Sequence, residues 1–193
     1  MLPCNRWAYK EWAVIIAAIL AGKQSLLVRK GGIHEGRAGF HPQHPEFWLY
    51  PTRFHQQPEA LIPEAREFFP VAQELVQSSG KVCLPGYVEV CAAHYVQQDA
   101  VLHRLEGYHF WSHITLQQRF RYRTSGLWVL VVRAYRCEPP YDLPEKPEWG
   151  GCLSWVDLSQ ELPVTSLRPV LDDQAHAQTL ERIQRVVTEI DRD

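Results

Sequence analysis

The chain has 193 residues, 46% of them hydrophobic, seven tryptophans and a formal net charge of −2. That is enough apolar material for one buried core, and it excludes a disordered chain. The charge excludes a globally basic protein but is unevenly spread, with +5 over residues 116–137 and −7 over residues 138–193.

In chain order, residues 5–21 predict a first helix. Asn5 can cap it, Trp12, Ile15, Ile16, Ile19 and Leu20 recur at helical spacing, and Gly22 fits the left-handed stop. The helix is apolar on most sides and is expected beneath a sheet. It is too short to span a bilayer and lacks a cleavage site, so no membrane partner is expected. Residues 24–29 and Glu46–Tyr50 read as strands, the second closed by Pro51. The long loop between them holds Gly31, Gly32, Gly36 and Gly39, and long ordered loops in compact domains are usually functional or mobile.

Residues 58–79 are helical and proline-punctuated, with Pro63 in a first turn and Pro70 kinking or dividing the helix. Tyr87–Val96 is a third strand and residues 98–112 a short helix and loop. Thr115–Cys137 reads as a hairpin around Thr124-Ser125-Gly126. Its first arm would set Arg119, Arg121 and Arg123 on one face, and Leu127–Val132 would be a central strand. Residues 138–149, with four prolines, read as a surface loop, Cys152–Leu158 as a last strand, and about 173–190 as a helix capped by Asp172. The organisation expected is one domain over 1–193, with a core at about 5–160 and a helical extension at about 170–193. The fold class is α+β: a small curved, mostly antiparallel sheet or partly open β-barrel, with a buried N-terminal helix and a C-terminal helix.

The familiar chemistries fail one by one. Ala21-Gly22-Lys23-Gln24-Ser25 follows a helix and precedes a strand, the reverse of what a phosphate loop needs. A Nudix layout would require adjacent magnesium-binding glutamates where Phe69-Pro70-Val71 stands. His41-x-x-His44 with His55, or His109 with His113, lacks a completing cysteine or carboxylate. No G-x-S-x-G occurs, and Val90-Cys91 follows Glu89 where a nuclease needs a lysine. The five cysteines have no C-x-x-C and read as free thiols of a cytoplasmic protein. No metal or cofactor is expected.

What remains is anion recognition. Arg29 and Lys30 close a strand, and Gly31-Gly32 let backbone amides approach a phosphate. Glu35, Thr52, His55 and Gln56 could meet the ligand, and Trp48 or His55 could stack on a ring. Arg119, Arg121 and Arg123 could track a nucleic-acid backbone. The alternatives are a tight turn with a solvated charge pair and an edge strand guarded by arginines. The function expected is binding of RNA, DNA or a nucleotide. A hydrolase using Glu35 and His55 and a non-catalytic interaction protein are the other two readings.

The stretches EWAVIIAAILAGKQSLLVRKGGIHEG, FWLYPTRFHQQ, VLVVRAYR and GGCLSWVDL together resemble the prokaryotic family catalogued as domain of unknown function 1802. The resemblance implies nucleic-acid dealings, for some members in restriction or defence systems. More loosely, the chain is similar to the ASCH branch of the PUA-like barrels, whose helix leads into G-x-K-x-x-E-x-R. Gly22 and Arg29 match that spacing, while Gln24 and Leu27 replace its Lys and Glu.

Overall fold

The computed structural model describes residues 1–30, 35–36, 39–40, 44–52, 57–76, 80–151 and 153–188. The first apolar stretch is two elements and not one helix: strand β1 (Cys4–Trp12) passes directly into helix α1 (Ala13–Leu20). Every residue from Ala13 to Ile19 is buried, so no polar stripe marks the boundary. Pairing of β1 with two neighbouring strands decides it. Asn5 is therefore no cap. Its side-chain amide donates to the Glu46 carbonyl at 2.8 Å and the Tyr87 hydroxyl at 2.9 Å. Gly22 does end the helix, at φ +72°.

The remaining strands and α-helices begin with β2 (Leu26–Arg29), the two-residue strands β3 (Glu35–Gly36) and β4 (Gly39–Phe40), β5 (Glu46–Thr52) and α2 (Phe69–Leu75). Then come β6 (Lys81–Val96), α3 (Ala100–Arg104), α4 (His113–Arg121), β7 (Leu127–Pro144), β8 (Trp155–Pro163), β9 (Leu167–Pro169) and α5 (Asp173–Thr188). The main sheet runs β2-β7-β6-β5-β1-β8, with β9 also on β7. Among the described residues, only β1 and β5 pair in parallel. The fold is α+β, with a mostly antiparallel sheet that is not closed into a tight barrel.

β5 explains why Phe47-Trp48-Leu49-Tyr50 reads as an unbroken apolar run. Phe47 and Leu49 enter the core around α1, while Trp48 and Tyr50 enter a second core with Tyr87, Trp149 and Leu158. A strand buried on both faces shows no alternation. Pro51 does not close it; pairing with β1 continues to Thr52.

β6 and β7 are long and bend at two register shifts, between Leu84 and Gly86 and between Val90 and Ala92. Such bulges kink a strand and increase its twist. At Gly86 an added Cβ would stand 2.6 Å from both the Tyr135 carbonyl oxygen and Leu20 Cδ2. Gly86→Ala is therefore expected to cost about 1–3 kcal/mol, read from the urea midpoint. A change within about 0.5 kcal/mol would mean that the bend relaxes freely.

Three more expectations are corrected. Residues 138–144 are not a loop: they belong to β7, and Tyr141 to Pro144 pair with Leu84 to Lys81 at the start of β6. The last stretch at 152–158 is shifted, since β8 runs Trp155–Pro163 and Cys152 lies outside the described residues. The first arm of the 115–137 hairpin is helix α4. Ser112 caps it by accepting the Thr115 N–H at 3.3 Å, and Leu116 and Phe120, four apart, are its buried positions. The C-terminal helix stands as read: Asp172 accepts the Ala175 N–H at 2.7 Å, and Ile183 is fully buried.

Candidate functional site

The carboxyl ends of the parallel pair β1 and β5 open into a cleft of about 540 Å³. Strand alternation sorts the β1 residues there. Tyr9 and Glu11 face one side, and Lys10 faces the other with Ala8. The apolar wall is made by Trp12, Leu75, Val76 and Leu153; Lys81, Cys83 and Glu145 contribute from β6 and the segment after β7, and Trp149 to Gly151 from the turn before β8.

The floor is a buried ion pair. Arg29 Nη2 lies 3.2 Å from Glu11 Oε2, with the carboxylate side chain 2% and the guanidinium side chain 19% exposed. The same guanidinium donates to the Lys10 carbonyl at 2.5 Å and lies 4.1 Å over the Tyr9 ring. Glu11 Oε1 accepts the Trp12 N–H at 2.7 Å, at the start of α1. There the positive end of the helix dipole favours a carboxylate. Arg29 ends β2, which β7, β6 and β5 separate from β1 in sheet order. Curvature of the sheet thus brings its two sides together, and this side-chain pair bridges them.

A second guanidinium stands behind the floor. Arg119 on α4 lies 3.6 Å over the Trp111 ring and 5.9 Å over Trp12. Burial lowers its pKa, the Glu11 carboxylate opposes that, and Arg29 adds to the lowering. One buried carboxylate therefore answers two arginines, which leaves the base of the cleft electropositive. Lys10 donates to the Trp149 carbonyl and, at 3.2 Å, to that of Gly151, 5.4 Å over the Tyr50 ring. Lys81 is exposed on the rim. Burial pushes the Tyr50 phenol up to about 12, with Glu145 adding to it.

The cleft's thiol is not activated. Burial, and after it Asp142, raises Cys83 to about 11, so the nucleophilic thiolate is scarce at neutral pH. Elsewhere Cys91 Sγ lies 3.5 Å from His176 Nε2. Burial raises that thiol and lowers that imidazole, so the pair stays neutral.

Of the residues singled out in the sequence, Arg29 and Thr52 line the cleft, where the Thr52 hydroxyl donates to the Glu11 carbonyl at 3.1 Å. Lys30 is turned elsewhere. Its ammonium donates to the carbonyls of Phe120 and Gly126, both at 2.9 Å, and of Thr124, closing the end of α4. Trp48 cannot stack on a ligand, because its ring is wholly buried and its Nε1–H donates to the Asn5 carbonyl at 2.9 Å. Gly31, Gly32, His55 and Gln56 lie outside the described residues. Of Glu35 only the backbone is described, paired with Phe40. Arg119, Arg121 and Arg123 do not share one face. Arg121 pairs with Asp99 at 3.1 Å, and Arg123 comes after the helix, at φ +61°.

The histidine readings also change. His44 stacks on Trp7 at 4.0 Å and meets Trp155 edge-on, and burial holds its pKa down. His41 lies outside the described residues. His109 is 3% exposed, and burial lowers it to about 4. Sequence reading missed Lys10, Glu11 and Lys81. The signal for the first two was present, as two charges interrupting an otherwise apolar run, but a single helix over 5–21 hides it.

A family model described as domain of unknown function (DUF1802) matches residues 8–182. A search of curated proteins gives no match. Among solved structures, the chain is similar to the crystal structure of ASCH from Zymomonas mobilis. The identity is 15% and the TM-score 0.43, over 92% of this chain and 95% of that one. A mutant form of that Zymomonas mobilis protein gives 14%, 0.42, 93% and 97%. A second gives 14%, 0.43, 92% and 97%.

Proposed function

The chain belongs to the DUF1802 family, and we propose that it is a nucleic-acid-binding module that takes one nucleotide of a single-stranded RNA or DNA into the cleft. The observation that carries this reading is the convergence of cationic groups with an apolar wall on one concave surface. Arg29 and Arg119 lie at and behind the base, Lys10 and Lys81 at the sides, and Trp12, Leu75, Val76 and Leu153 form the wall. A cleft of this volume suits a small ligand, since such sites span about 300–1,000 Å³. Phosphate would meet the lysines and the base would meet the wall, the combination by which single strands are held without sequence reading. Binding is favoured over catalysis because Glu11, the one buried acid among the described residues, is committed to Arg29 and the Cys83 thiol is held protonated. The four free cysteines among the described residues suit a reducing cytoplasm.

The test is fluorescence anisotropy with short labelled single-stranded RNA and DNA over a salt series. Lys81→Ala is expected to weaken binding severalfold and to reduce the slope of log affinity against log salt by about 0.7. Leu153→Asp is expected to weaken binding at every salt concentration. Absence of binding to single-stranded, double-stranded and mononucleotide ligands at low salt would sink the proposal. So would binding that both substitutions leave unchanged.

A further inference from the structure

Away from the cleft, a second cluster stands at the corner between α3 and α4. It comprises His103 on α3, Glu106 in the turn after it, and His113 at the first position of α4. One donor atom from each lies within 4.8 Å of the other two. His103 Nδ1 is 3.2 Å from Glu106 Oε1, and His113 Nδ1 is 3.0 Å from the same oxygen. The two imidazole rings stack at 3.8 Å, 24° from parallel, so one ring must turn about its Cβ–Cγ bond for both Nδ1 lone pairs to meet one ion.

The two nitrogens are not equivalent. The His103 contact has the geometry of a hydrogen bond. His113 Nδ1 is shielded from solvent and makes no hydrogen bond, although the carboxylate oxygen is so close. A buried ring nitrogen turned toward an oxygen but not aligned with it is costly if only those two atoms are involved. The cost disappears if nitrogen and oxygen both face a third centre. A tetrahedral ion with bonds of about 2.0–2.1 Å holds its donors about 3.3–3.4 Å apart. Both measured separations fall within about 0.4 Å of that edge.

We propose that His103, Glu106 and His113 bind a divalent transition-metal ion, Zn²⁺ being the best match. Two imidazoles and one carboxylate select zinc and its neighbours over magnesium and calcium, which take oxygen ligands. Three protein ligands leave a fourth position for water on a face where His103 and Glu106 are 62% and 51% exposed. The ion would join α3 to α4. It would also fix the segment leading back from His113 to Trp111, which carries the Arg119 guanidinium and meets Trp12 at 4.7 Å. The site does not depend on what the cleft binds.

The experiment uses the full chain after treatment with a chelator. Zn²⁺ is expected to raise the melting temperature saturably, while Mg²⁺ at the same concentration leaves it unchanged. His103→Ala and His113→Ala are expected to abolish that shift, and Glu106→Gln, a near-isosteric change at an exposed position, to weaken Zn²⁺ by about tenfold or more. Circular dichroism checks that each variant folds. Co²⁺ in place of Zn²⁺ is expected to give the visible bands of nitrogen and oxygen ligation with no thiolate charge-transfer absorption. That separates this site from Cys91 with His176. The proposal is overturned if Zn²⁺ gives no shift, if the shift survives in the His103→Ala/His113→Ala double variant, or if the thiolate band appears.

Discussion

Replacing Glu11 with alanine is expected to lower the free energy of unfolding by about 3 kcal/mol, the lower end of the range for breaking a buried ion pair. The lower end applies because the Arg29 side chain is 19% exposed and water offsets part of the loss, while Glu11 at 2% has almost none. The substitution leaves Arg29 with no counter-charge and also leaves Arg119 beside an uncompensated cation. It removes the acceptor of the Trp12 N–H at the head of α1 as well. The double variant Glu11→Leu/Arg29→Met is expected to recover much of the stability, because exchanging a whole buried pair for apolar groups is often close to neutral. Urea titrations of the two variants provide the measurement. A loss below about 1 kcal/mol for Glu11→Ala would show that the pair is solvated and does not hold the two sides of the sheet together.

Acid is expected to weaken the fold through His109. Burial lowers this imidazole from its ordinary value to about 4, partly offset by Glu106. In the unfolded chain it protonates near 6.5. Between those values the unfolded state binds a proton that the native state refuses, so stability falls as pH falls. The contribution is fully present above about pH 6.5 and lost on passing down through about 4, a total of about 3 kcal/mol at 1.36 kcal/mol per unit. His44, His94 and His176 are also lowered, first of all by burial, and act in the same direction. The difference between the native chain and His109→Phe therefore isolates one site. Unfolding curves at pH 7 and pH 4.5 are expected to converge in the variant relative to the parent. Equal acid sensitivity in both would rule out His109 as the cause.

The corrections have two physical origins, a helical period hidden by local alternation and strand pairing over long range. α4 reads as a strand because Phe120 and Tyr122 are two apart, but only Phe120 is buried, and its helical partner Leu116 decides the period. β1 and α1 merge into one apparent helix because Ala13 to Ile19 is buried all round, so hydrophobic periodicity carries no phase information there. The prolines of residues 138–144 suggest a loop, yet these residues lie in β7, and Tyr141 to Pro144 pair with Leu84 to Lys81. For β1 and for residues 141–144 the deciding partner is distant in sequence; for α4 it is four residues away, at a spacing that the alternating pattern passes over.

The candidate site was legible in part. Arg29 at the end of a strand is readable from the sequence, and the structure places it among the residues lining the cleft. Lys30 and Trp48 carry the right chemistry for a ligand but point to the end of α4 and into the second core. Adjacent residues on an extended chain face opposite ways, so a dense run of functional groups divides between two surfaces.

The sequence by itself determined the family, the α+β class, the short strand ending in Arg29, the central strand from Leu127 to Val132 and the capped C-terminal helix. All of these rest on local signals: motif residues, a β-branched run, an aspartate cap. Only the tertiary structure decided that Arg29 meets Glu11 across the curved sheet, that Lys10, Lys81 and Trp12 share one cleft, and that Arg119 lies behind it. Bends in β6 and β7 set those distances, and the bends arise from the register of strands far apart in the chain.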